Sequence, residues 1–183
     1  AVLVDENLQV IPELALSWDQ PDDATYIFHL RQGVKFHNGR EMTAEDVKYS
    51  LDRVTTPATQ SPGAGFFGSI AGYDAMADGS ATSLSGVTVL DPATVKIELS
   101  RPDATFLHVM ALNFSSVVPK EEVEKWGADF GKHPVGTGAF KLSDWTIGQK
   151  LLLSKNADYW RAGLPYLDSV TFEVGQEPIV ALL

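Results

Sequence analysis

Residues 25–54, TYIFHLRQGVKFHNGREMTAEDVKYSLDRV, constrain the fold more than any other stretch of the chain. Tyr26, Phe28 and Leu30 alternate with Thr25, Ile27, His29 and Arg31, the period of two expected of a strand with one buried face. Residues 34–37 and 40–42 then flank Asn38-Gly39, a dipeptide that tolerates positive φ at both central positions of a tight turn. Strands over 25–42 with a two-residue type I′ turn are therefore expected. Thr43, three residues before Asp46, is placed to cap a helix over 44–54 with Val47, Leu51 and Val54 as its apolar stripe. Glu45 and Asp46 suit the positive end of that helix's dipole.

Further along, the texture changes. Residues 55–81 are rich in small residues, glycine and proline around Phe66, Phe67 and Ile70, and read as an irregular loop with short helical pieces, one over 72–77. Adjacent aromatics in such a loop serve either as anchors to the core or as a binding surface. Val87, Val89, Val95, Ile97 and Leu99 flank Asp91-Pro92-Ala93 and predict a second hairpin. Pro102 and Asp103 introduce a helix with Phe106, Leu107, Met110 and Ala111 at helical spacing. Residues 113–118 read as a short extended piece, and 121–126 as a short helix that Gly127 stops. Strands are expected over 140–145 and 150–154, around Ile147-Gly148, and over 170–174, with the first turns of a helix at 177–183. Trp18 reads as a packed core aromatic and His29 as a partly exposed strand residue.

Several classes of chemistry find no support. A net charge of −10 over 183 residues offers no basic stripe for nucleic acid. There is no cysteine, hence neither a disulfide nor a thiolate metal site. His29, His37, His108 and His133 stand singly, without metal-ligand spacing. No Gly-x-Ser-x-Gly elbow is present, and the glycines at 136 and 138 are not followed by the Gly-Lys-Ser/Thr of a phosphate loop. No apolar run reaches the length of a membrane span.

The positive signal is a set of motifs. Phe28, Leu30, Arg31, Gly33, Val34, Lys35, Phe36, Gly39 and the run Thr43-Ala44-Glu45-Asp46-Val47 fall in one stretch. Pro12, Leu14, Ala15 and Trp18 precede it. Pro134, Gly136, Thr137, Gly138 and Phe140 follow, with Ala139 where a proline is usual, and then Asn156, Tyr159 and Trp160. Together they make the chain resemble the family 5 extracellular solute-binding proteins, the oligopeptide, dipeptide and nickel receptors of bacterial ABC importers.

That resemblance implies an α+β fold, mixed sheets with flanking helices, as a periplasmic-binding-protein-like (type II, cluster C) lobe fragment. Residues 1–133 would be an inserted small domain of the N-terminal lobe, and 134–183 the truncated start of the return to the first lobe. It implies a monomeric capture protein, periplasmic or extracellular and membrane-anchored, that takes a small-molecule or peptide ligand and delivers it to ABC permease subunits. No cofactor and no catalysis are expected. The resemblance places Phe66, Phe67, Asn113 and Ser115 at the ligand cleft. Neither of their segments carries an arginine, which favours a neutral or zwitterionic ligand such as a short peptide. The rival reading is a hydrolytic enzyme or a signalling domain on the same scaffold, its active residues lying outside this chain.

Overall fold

The computed structural model describes residues 2–174. Strands β1 (Val2–Val4) and β2 (Val10–Pro12) form a small hairpin. β3 (Ala15–Asp22) pairs antiparallel with β4 (Thr25–Leu30), whose predicted alternation is realised: Tyr26, Phe28 and Leu30 are buried, and their neighbours are only half-buried. Helix α1 (Ala44–Thr55) follows, then α2 (Tyr73–Ala77), and then the hairpin of β5 (Val87–Asp91) and β6 (Thr94–Glu98). β6 adds to β4, giving the antiparallel order β3-β4-β6-β5. The register sets Tyr26 opposite Ile97 and Phe28 opposite Val95, so one face presents a continuous apolar surface. Val47, Leu51 and Val54 of α1 are buried, and the helix packs on β5 and β6. Each fully buried side chain of this size contributes about 1.5–3 kcal/mol by leaving water.

Two short helices, α3 (Phe106–Val109) and α4 (Lys120–Trp126), lead to a second sheet. It comprises β7 (Phe140–Thr146), β8 (Lys150–Lys155) and β9 (Ser169–Glu173), antiparallel in that order. Gly127, at φ +52, ends α4 as expected. The helix expected at 177–183 lies outside the described residues.

Two local expectations are corrected. Residues 34–42 make no regular ladder; a single bridge joins Lys35 and Glu41. The turn has three residues, not two. Phe36 N–H donates to Arg40 O and Gly39 N–H to Phe36 O, both at 2.8 Å. Gly39 alone takes a positive φ, the arrangement of a type I turn followed by a left-handed residue. Asn38 keeps a negative φ and divides its carboxamide between a local bond, accepting from Arg40 N–H at 3.1 Å, and a tertiary one, donating to Glu121 at 3.1 Å. The loop thereby turns Val34, Phe36 and Met42 into the core. The second correction concerns residues 113–118, where Asn113–Ser115 wind into a 3₁₀ turn before the chain extends.

The start of α1 is held by a carboxylate. Asp46 accepts from Thr43 N–H at 2.9 Å and lies 3.3 Å from the Thr43 hydroxyl. The same carboxylate takes two bonds from Arg40, at 2.5 and 3.0 Å, and Arg40 also reaches Glu121 at 2.6 Å. Removing Asp46 leaves the Thr43 N–H uncapped and takes two charge-assisted bonds from Arg40, which keeps only those to Glu121 and Glu41 O. Asp46→Ala is therefore expected to cost about 2–4 kcal/mol, whereas Thr43→Ala should cost about 1 kcal/mol or less. Denaturant melts of the two variants check this; equal losses would mean that the hydroxyl, and not the carboxylate, secures the helix start.

Candidate functional site

The loop after α1 and the turn after α3 meet in one surface. Phe66 sits at the end of a 3₁₀ turn, 52% exposed, and its ring stacks on Phe114 with centroids 5.8 Å apart and planes 22° from parallel. Asn113 lies beside Phe114 and is exposed. The approach depends on Gly63, where an added Cβ would stand 2.2 Å from Phe114 Cγ. A glycine is thus required by contact alone, without any special φ. The two rings and the neighbouring carboxamide carry no ionisable group, and none of the three residues lines any of the cavities described below.

The other two expected wall residues face inward. Phe67 is fully buried in the core formed with Ile70 and its neighbours, so its ring cannot meet a ligand in this arrangement. Ser115 is 6% exposed, and its hydroxyl sits 2.7 Å from both Met110 O and Leu112 O. It secures the turn. Phe114 was not among the expected residues, although its place between Asn113 and Ser115 and opposite a glycine-rich loop was the available signal.

The remaining motifs tie the two sheets together. Asn156 is 1% exposed; its side chain donates to Gly138 O at 3.0 Å, and its N–H to Ala139 O at 2.8 Å. The Trp160 ring lies under Arg31, 4.4 Å from the guanidinium carbon, and beside Arg161 at 4.8 Å; Arg161 in turn pairs with Glu13. Lys35 faces Asp158 at 3.8 Å. His29 meets Asp19 at 2.8 Å, and Trp18 packs on Phe28 at 6.4 Å.

A Ser–Lys–Asp constellation also stands among the described residues. Lys48 Nζ is 2.6 Å from Ser83 Oγ, and Ser83 Oγ is 2.9 Å from Asp52 Oδ2. Lys48 also donates to Val87 O at 3.0 Å. The Asp52 carboxylate also lies 3.5 Å from Lys48 Nζ, so the three side chains form one bonded cluster. It clamps the loop before β5. No group of three or more His, Cys, Asp or Glu side chains could hold a metal among the described residues. A wide groove of about 580 Å³ runs over the β7–β8–β9 face, lined by Val117, Phe130, Leu142, Leu151, Leu153 and Phe172 among others. It has no convergent set of polar side chains to orient a solute.

Comparison with known proteins places this geometry. Residues 9–183 match the family described as bacterial extracellular solute-binding proteins, family 5 Middle. The chain is 36% identical over 170 residues to the glutathione-binding protein GsiB of Salmonella typhi, covering 92% of this chain and 30% of that protein. It superposes on the murein tripeptide binding protein MppA of Escherichia coli with a TM-score of 0.87 and 33% identity, over 94% of this chain and 35% of that one. On the peptide-bound OppA of Listeria monocytogenes the TM-score is 0.91 at 25% identity, over 99% of this chain and 37% of that one. The chain thus spans about a third of the length of these relatives.

The split between the adjacent aromatics gives a direct test. Phe67→Ala empties a core site and should cost about 3–5 kcal/mol. Phe66→Ala removes only a half-exposed stacked ring and should cost about 1 kcal/mol. Thermal or denaturant melts decide it; equal costs would place Phe66 in the core as well.

Proposed function

Because the chain belongs to the family 5 bacterial extracellular solute-binding proteins, we propose that it forms part of the substrate-capture component of an ABC importer for short peptides. Family membership carries the reading, and the wall of Phe66, Phe114 and Asn113 supports the choice of ligand. Two rings supply rigid apolar contact, a carboxamide orients a polar backbone, and no fixed charge selects for an ion. Relatives named for glutathione and for a murein tripeptide agree with a ligand of short-peptide size. In this proposal residues 1–133 are an inserted small domain and 134–183 begin the return to the first lobe. The protein works as a monomer, anchored outside the cytoplasmic membrane, and hands its ligand to permease subunits. No helix among the described residues is long and apolar enough to cross a membrane.

A ligand held between two lobes has most of its surface buried, and one wall leaves much of it in water. Calorimetry of the full-length protein with glutathione and with di- to pentapeptides should therefore show saturable binding near micromolar, about −8 kcal/mol. This chain alone should show none. In the full-length protein Phe66→Ala should weaken binding by about 1–3 kcal/mol and lower the melting temperature of the ligand-free form by only a few degrees, far less than Phe67→Ala does. Turnover of a peptide without saturable capture would overturn the reading in favour of a hydrolase.

A further inference from the structure

The loop His37–Gly39 grips the segment that carries the chain from the four-stranded sheet to the three-stranded one. His37 N–H donates to Gly136 O at 2.8 Å. Its ring lies against the same segment, with Nε2 3.0 Å from Gly138 O and Nδ1 3.4 Å from Gly136 N. The two backbone partners demand opposite roles. A carbonyl only accepts, so Nε2 carries a proton; an amide N–H only donates, so Nδ1 presents its lone pair. The neutral ring protonated at Nε2 is the one state that satisfies both. A second proton, on Nδ1, would set two N–H groups against each other.

We propose that His37 is a proton-sensitive latch: the neutral ring holds both Gly136 and Gly138, and the protonated ring keeps Gly138 O but repels the Gly136 N–H and loosens that end of the segment. The surroundings agree. Lys141 of β7 lines the same groove and disfavours added positive charge. Glu122 and Lys125 of α4 and His133, just before the crossing, line it too. Glu122 is taken by Lys125 at 3.1 Å and by Trp126 Nε1 at 3.2 Å, and Glu121 by Arg40. No carboxylate among the described residues is therefore left to stabilise an imidazolium here. Burial chiefly, and Lys141 in addition, hold His37 below the usual histidine range, although its bond to Gly138 works the other way. Asn156 donates to the same Gly138 oxygen and to Ala139 O with groups that do not titrate in this range, so the segment loosens at its Gly136 end only.

The pH window follows from the direction of the shift. Between its lowered value in the fold and the unfolded value near 6.5, the unfolded chain binds more protons. The latch's stabilisation is whole above about pH 6.5 and is lost as the pH falls through the folded value. Its bearing on lobe closure rests on the receptor reading above. The latch itself does not, because its test involves no ligand.

Nitrogen-15 NMR of the 183-residue chain reads the tautomer, and amide hydrogen exchange, corrected for intrinsic rates, reads the grip. The expected result is an Nε2–H ring at neutral pH. Protection of the His37 amide should fall about tenfold from about pH 7.5 to about pH 5, with the Asn156 amide unchanged. His37→Phe, which keeps a ring without nitrogens, should show the low-pH level at both values. An Nδ1–H ring, a flat His37 amide while the ring titrates, or pH dependence surviving in His37→Phe would each overturn the proposal. If the variant does not fold, the wild-type tautomer and exchange decide it.

Discussion

One guanidinium organises the junction from which the rest of the structure hangs. Arg40 emerges from the three-residue loop and makes paired bonds to Asp46, at the start of α1, and to Glu121, at the start of α4. These bonds, to Asp46 first and Glu121 second, raise its proton affinity still further, so it is charged at every accessible pH. The Asp46 carboxylate is 6% exposed and the Arg40 side chain 39%, so desolvation offsets part of the Coulombic gain. Net stabilisation is modest for so many bonds. The larger consequence is geometric: a planar fork fixes the angle between two helices and a loop, which a lysine, a point charge on a flexible stem, would not do.

With that loop fixed, its other side chains acquire their roles. Asn38 reaches Glu121, Phe36 enters the core, and His37 is delivered to the crossing segment. The aromatic wall is positioned from the opposite side of the core. Phe67 is buried, and Phe66, the residue before it, stacks on Phe114 at the surface. A contact surface held this way loses little entropy when a ligand meets it, the condition under which a wall without charges contributes to affinity.

Much of this was legible in the chain. The alternation of Tyr26, Phe28 and Leu30, the stripe of Val47, Leu51 and Val54, and the second hairpin are local periodicities, and local periodicity is what burial on one face enforces. The turn at Asn38 escaped because its conformation answers to Glu121, eighty-odd positions away, and not to the dipeptide's own preference. Phe66 and Phe67 were indistinguishable for a different reason. In an irregular turn no period assigns a face, and only packing against Phe114 and the core separates them. Ser115 misled in the same way: a short 3₁₀ turn uses its hydroxyl to satisfy its own carbonyls. His37, Arg40 and Phe114 owe their roles to partners distant in sequence.

The motif residues divide by the same logic. Gly136, Gly138, Asn156 and Trp160 carry much of the family resemblance, yet none lies on the wall of Phe66, Phe114 and Asn113. They bind one sheet to the other: two glycines whose backbone faces a histidine, an asparagine that closes the far side, and an indole beneath a guanidinium. Phe66, proposed above as a ligand contact, sits in the least patterned loop of the chain, where Gly63 is fixed by its closeness to Phe114.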